Sequence, residues 1–225
     1  MATEIEIKLL LATLQDYVHV LTALDAVAPE PVSGVAQVNY YLDTAQRELH
    51  AQRAMARVRV ADGHVLLTVK VQPSLRDGVM RVSELEASLP TALAAQWRTA
   101  PPARCDMTLD AQGWLRDPLV LARPLPADAV LHCLGAMHNT RRKYLLPAAV
   151  APPDSGGILL ELDRVHYGAG GDQAERFEIE VETPNAAAIM PLLQQWLDEL
   201  GVDWALAEES KYAQFLRLSE RAEAA

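Results

Sequence analysis

The sequence predicts an α+β fold in which eight antiparallel strands close into a β-barrel with helices packed outside it. Three features carry that expectation. Eight short segments alternate apolar and polar residues with period 2 and are filled with β-branched side chains. Longer stretches repeat apolar residues at helical spacing, and the polar faces of the strands are sorted by sign of charge. With 225 residues, half of them hydrophobic, the chain can bury the core of one large domain, placed at 1–217 with 218–225 as a C-terminal tail.

The strand segments are 4–11, 35–42, 54–60, 64–71, 80–89, 141–146, 158–167 and 176–182. Asp62-Gly63 separates two of them and is a hairpin signal, because glycine accepts positive φ. Leu14, Val18, Leu21 and Leu24 recur at helical spacing behind Thr13, a candidate N-cap. Ile189, Leu192, Leu193, Trp196, Leu197 and Leu200 form a second stripe, capped by Asn185 and stopped by Gly201. Pro191 falls inside it, which predicts a later start or a kink. Residues 210–221 read as a last helix, 100–104 and 147–157 as loops, and 168–172 as a turn.

Composition excludes several classes. No apolar run approaches the ~18 residues of a membrane span, and the opening six residues have neither the basic segment nor the apolar core of a signal peptide. Cys105 and Cys133 lack metal-ligand spacing and read as thiols of a cytoplasmic protein. A net charge of -10 opposes binding to nucleic acid, although a basic interior would not register in that average. The expectation is a cytoplasmic protein with no nucleic-acid or membrane partner; the sequence leaves a homodimer open.

The charges are more informative than their sum. Glu4, Glu6 and Lys8 project to one side of their strand while Ile5 and Ile7 project to the other, because side chains alternate. Bases recur in the same way at Arg57 and Arg59 and at Arg141 and Lys143. Acids recur at Glu84 and Glu86, at Glu161 and Asp163, and at Glu178, Glu180 and Glu182. Lys70 ends its strand. An ordinary sheet with one wet face would show charges too, but mixed in sign, since like charges side by side repel. Sorted charges fit a barrel whose ionic faces meet in its lumen, where cations satisfy the acids and a polyanion satisfies the bases.

Motifs then appear in a familiar order. Glu4-Ile5-Glu6-Ile7-Lys8 is an ExExK pattern, Asn39 to Thr44 ends a strand as NYYLDT, and Arg57-Val58-Arg59 and Thr68-Val69-Lys70 follow as RxR and TxK. Glu84-Leu85-Glu86, Arg141 three residues before Tyr144, Glu161-Leu162-Asp163, Glu178-Ile179-Glu180 and Lys211 complete the series over residues 2 to about 217. The series resembles the CYTH, or triphosphate tunnel metalloenzyme, superfamily, and in texture the CYTH domain of bacterial inorganic triphosphatases.

That resemblance implies a metal-dependent triphosphatase, a phosphoric anhydride hydrolase acting on tripolyphosphate or a related triphosphate with Mg²⁺ or Mn²⁺. Other members are thiamine triphosphatases, class IV adenylyl cyclases and RNA triphosphatases, so kinship does not choose the substrate. Lys8, Arg57, Arg59, Lys70, Arg141, Lys143 and Lys211 are expected to cradle phosphate, since guanidinium binds phosphate bidentately and ammonium acts as a point charge. Arg81 is a weaker candidate, and Arg142 is expected to face outward. Glu4, Glu6, Glu178, Glu180 and Asp163 are expected at the metal, and Glu84 and Glu86 join Lys8, Arg57, Arg59 and Lys70 in catalysis. Glu161 is expected to orient water, hold a second metal or pair with a base. A non-catalytic polyphosphate- or nucleotide-binding module is the rival; it could dispense with acids that this sequence keeps.

Overall fold

β1 (Ala2–Leu11) is the strand on which the barrel closes, pairing antiparallel with β8 (Ala174–Glu182) on one side and with β5 (Val79–Ser88) on the other. The computed structural model describes residues 2–27, 31–99, 113–147, 150–151, 157–168 and 174–224. Around the barrel follow β4 (His64–Arg76), β3 (Ala54–Ala61), β2 (Ser33–Asp43), β6 (His132–Leu145) and β7 (Leu159–Gly168), every neighbouring pair antiparallel. A ninth strand, β9 (Trp204–Leu206), joins the end of β1. The expected eight-stranded closed barrel is therefore present, with one extra strand.

Turn chemistry sets the hairpins. Asp62 and Gly63, at φ 43° and 74°, link β3 to β4 as expected. Gly78, at φ 72°, turns β4 into β5, and its carbonyl accepts the Lys8 backbone N–H at 2.7 Å. A Cβ at Gly78 would lie 2.9 Å from Leu206 Cδ2 and 3.1 Å from the Lys8 carbonyl, so both sterics and conformation require glycine there.

The apolar strand faces point outward and are covered. Ile7, Leu9, Leu160, Leu162, Ile179 and Val181 pack against Val20 and Leu24 of α1 (Leu14–Val27) and against Ile189, Leu193 and Leu197 of α4 (Ala186–Leu200). Across the barrel, Val58, Leu67 and Val69 pack with Trp97 of α3 (Thr91–Thr99). Phe215 and Leu216 of α5 (Lys211–Ala224) pack on Tyr41, Met55, Met137, Val165 and Tyr167 and close one end of the lumen. Thr13 caps α1 reciprocally: Asp16 N–H donates to Thr13 Oγ1 at 3.1 Å and Thr13 N–H to Asp16 Oδ2 at 3.0 Å. Gly201, at φ 67°, ends α4.

Two expectations need correction, and three elements were not expected. α4 begins at Ala186 and runs through Pro191, which sits near its N-terminal end and removes one early hydrogen bond. β6 begins at His132, nine residues before the expected segment 141–146, because β2 supplies partners along its length from Ser33 to Asp43. Short α2 (Glu48–Ala51) carries no helical stripe; buried Asp43 accepts the N–H groups of Leu49 at 2.9 Å and His50 at 3.0 Å to start it. α3 and β9 were not expected either. The expected loop at 100–104, the turn at 169–172 and Cys105 lie outside the described residues, as does most of 147–157.

Candidate active site

Register decides which charges meet. Lys8 lies opposite Glu180, Arg141 opposite Asp163, Lys143 opposite Glu161 and Lys70 opposite Glu84, so each of these bases has an acid as its direct cross-strand neighbour. On β3 the pattern breaks. Arg59 faces Asn39 and Leu66, and Arg57 faces Tyr41 and Thr68. A cavity of about 440 Å³ runs through the lumen, lined by Glu4, Glu6, Lys8, Arg57, Arg59, Lys70, Glu84, Glu86, Arg141, Lys143, Glu161, Glu180, Glu182 and Lys211.

One wall is a closed ionic network. Arg141 binds Asp163 through two nitrogens, at 2.8 and 2.6 Å, and also Glu161 and Glu180. Lys211, brought in from the start of α5, stands 2.8 Å from Asp163, 2.8 Å from Glu178 and 2.7 Å from Glu180. Lys8 binds Glu6 at 3.0 Å and also Glu180. Arg176 seals the underside of Glu178 at 3.2 Å. Burial alone would neutralise these groups, but the partners outweigh it. Lys8 and Lys211 are held above the ordinary lysine value, Asp163 is pulled down to about 2, and Glu180 well below its usual range.

The opposite wall is unsatisfied. Among the described residues no carboxylate lies in ion-pair contact with Arg57 or Arg59; Arg59 Nε donates to Asn39 Oδ1 at 3.0 Å, and Arg57 Nε is buried without a partner. Burial, followed by the repulsion of Arg57 and Arg141, lowers the Arg59 guanidinium to about 10, which leaves it charged at neutral pH. Glu86, the acid nearest in register, accepts a hydrogen bond from Thr68 Oγ1 at 3.0 Å. Glu84 and Glu86 act on the two adjacent guanidinium groups without ion-pair contact, which leaves the pair suited to an anion.

Between the walls the acids crowd. Lys70 stands 3.0 Å from Glu4 and 2.7 Å from Glu84, and the two carboxyls share a hydrogen bond. Burial, then the bond to Glu84, raises the Glu4 carboxyl; burial raises Glu6 against the pull of Lys8; burial, then Glu4 and Glu6, raises Glu182. Carboxyls whose charged form is disfavoured by burial and by each other are better matched by a cation than by one another. Among the described residues no three His, Cys, Asp or Glu side chains converge in a ready-made cage. A hard ion such as Mg²⁺ takes one or two carboxylates and completes its shell with water and phosphate, and of the carboxylates expected at a metal Glu4, Glu6 and Glu180 reach this lining.

All the expected phosphate-binding bases therefore reach the tunnel, as do Glu84 and Glu86. Asp163 and Glu178 do not line the cavity: both are fully buried beneath its wall among Arg141, Lys211 and Arg176. Arg81 is exposed on the outer face, the opposite parity from Glu84 and Glu86, and Arg142 also faces outward, toward Tyr144. Sequence reasoning passed over Asn39 and Asn139, which line the tunnel, and the Met55, Met80 and Tyr212 side chains beside them. The continuing period-2 parity from Tyr41 back to Asn39 was the available signal.

A family model described as the CYTH domain matches residues 2–214. No curated protein sequence matches the chain significantly. Among solved structures, an adenylyl cyclase-like protein from Hippeastrum, described as having a dominant triphosphatase activity, aligns at 28% identity with a TM-score of 0.76, covering 95% of each chain. A Bacillus halodurans protein provisionally assigned as an adenylate cyclase aligns at 21% identity with a TM-score of 0.62, over 96% of this chain and 99% of that one; at that identity it speaks to the fold alone.

Proposed function

The chain belongs to the CYTH domain family, and from that premise we propose that it is a divalent-metal-dependent triphosphatase that hydrolyses inorganic triphosphate, or a closely related triphosphate, to release phosphate. The observation that carries this reading is the pair Arg57 and Arg59, aimed into the tunnel with no carboxylate in contact among the described residues. A phosphoryl group between them gains charge-assisted, geometrically defined hydrogen bonds in a dry site, where such bonds are strongest. Lys70 and Lys143 extend the positive lining toward neighbouring phosphates. Glu4, Glu6 and Glu180 would hold the cation, while Asp163 and Glu178 hold Arg141 and Lys211 in place from below. When bound, Mg²⁺ or Mn²⁺ supplies neutralisation of phosphate oxygens. Glu84, held by Lys70, and Glu86, held by Thr68, are acceptors placed to orient an attacking water. The dominant triphosphatase activity ascribed to the Hippeastrum protein supports the same direction.

The test is direct. Purified protein is incubated with tripolyphosphate, thiamine triphosphate or ATP and with Mg²⁺ or Mn²⁺, and released phosphate and cyclic AMP are measured. Phosphate from tripolyphosphate is the expected result. Cyclic AMP from ATP without that phosphate would assign a cyclase, and neither product would assign a binding module.

A further inference from the structure

Asn39 sits on β2 directly opposite Arg59 on β3, 1% exposed, and lines the same cavity. Its orientation is fixed by chemistry. Arg59 Nε carries a hydrogen and can only donate, so the Asn39 atom it meets at 3.0 Å must be the carbonyl Oδ1. The amide Nδ2, with its two hydrogens, is then the branch left over, and among the described residues it is buried without a partner. Asn139, which also lines the cavity from the adjacent β6, leaves its own Oδ1 buried and unpartnered, so the two amides do not satisfy each other. The neighbouring Arg57 Nε is likewise a buried donor without an acceptor. Buried polar groups are almost always paired, and a group left open in a cavity wall awaits what the cavity receives. Beside Arg59 the unmet groups are the donors Asn39 Nδ2 and Arg57 Nε, while the unmet acceptors, Gln37 Oε1 and Asn139 Oδ1, lie one inward position further along, where Gln37 pairs with Asn139. The complement of the two donors beside Arg59 is an oxygen that accepts.

We propose that Asn39 contacts the substrate directly, its Oδ1 holding the Arg59 guanidinium in place while its Nδ2 donates to an oxygen of the phosphoryl group that Arg57 and Arg59 bind. The proposal rests on the triphosphatase reading above and adds a neutral donor to a site otherwise described by charges. A neutral amide cannot attract the polyanion from a distance. It acts at contact range and fixes which way the phosphoryl oxygens point, so its contribution is to affinity and orientation.

A double-mutant cycle separates direct contact from mere support of Arg59. Dissociation constants for tripolyphosphate are measured by calorimetry without added metal, so that turnover does not intervene, for the unmutated protein, Asn39→Ala, Arg59→Ala and the double variant. Direct contact predicts that Asn39→Ala weakens binding by roughly tenfold or more both alone and on the Arg59→Ala background, as expected for a lost hydrogen bond to a charged group. No further loss on the Arg59→Ala background would overturn the proposal and leave Asn39 as a support for the arginine only. If Asn39→Ala does not fold, the unmutated protein still decides: the Asn39 side-chain NH₂ resonances, assigned with Asn39→Ser, shift on adding tripolyphosphate, and unmoved resonances would refute the contact. Failure of the unmutated protein to bind tripolyphosphate at all would remove the triphosphatase reading together with this one, whereas normal binding with a flat cycle removes this one alone.

Discussion

Arg141 and Arg59 face the same tunnel, yet among the described residues Arg141 is bound to three carboxylates and Arg59 to none. The difference comes from register. β6 runs beside β7, whose inward positions are Glu161 and Asp163, while β3 runs between β2 and β4, whose inward positions opposite the arginines are Asn39, Tyr41, Leu66 and Thr68. One wall is neutralised by the fold itself. The other lacks that neutralisation, and it is the wall to which the proposed function assigns the anion. On the proposed reading, residues with the same chemistry thus have different duties, stability on one side and binding on the other, and mutations can tell them apart.

The largest effect should follow from opening the neutralised wall. Lys211→Met leaves Asp163, Glu178 and Glu180 buried with one cation fewer, and removing one partner of a buried ionic group costs about 3–5 kcal/mol. Chemical denaturation checks this, and an unchanged midpoint would show that the network is not structural. On the open wall, Arg59→Ala should lower turnover of tripolyphosphate about 10²-fold, roughly 3 kcal/mol of transition-state stabilisation, while the melting temperature stays level or rises, because a desolvated charge without a counter-ion has been removed.

Proton linkage sharpens the contrast. The Asp163 carboxyl is depressed from 3.8 to about 2, and Glu180 is depressed in the same direction. A carboxylate with a lowered folded-state pKa contributes stability above its unfolded value and loses it as pH falls through the folded one. Acid unfolding should therefore be progressive between about pH 4 and pH 2. Lys211→Met should begin to unfold at a higher pH, which circular dichroism would follow. Glu4 and Glu6 carry the opposite sign: raised values make protons stronger competitors of a cation there, so Mn²⁺ affinity should climb with pH on the acid side, with proton release seen by calorimetry. The smallest effect belongs to the mouth, where the Lys143–Glu161 pair, at 2.6 Å, is partly exposed; Lys143→Ala should cost less than about 1 kcal/mol of stability.

Much of this was legible in the sequence. Alternation in Glu4-Ile5-Glu6-Ile7-Lys8 and Arg57-Val58-Arg59 gave each side chain its face, and grouping by sign gave the closed lumen. Arg81 could have been set outside by the same parity, being odd where Glu84 and Glu86 are even. The satisfaction of the charges could not be read, because pairing is long-range. Nothing local in Lys211 brings it to Asp163 and Glu178, and nothing in Arg57-Val58-Arg59 reveals that its neighbours across the sheet carry no acid. For the same reason Glu178 read as a metal ligand, though Arg176, two residues before it, seals it beneath the wall.

The central claim is that the β3 arginines form an anion site the fold leaves open. Calorimetric titration of tripolyphosphate into the unmutated protein and into the Arg57→Ala, Arg59→Ala double variant, each with its melting temperature recorded, tests it most directly. Saturable binding by the first, and its loss in a variant that melts no lower, is the predicted result. Equal affinity in both, or no binding to the unmutated protein, would contradict it.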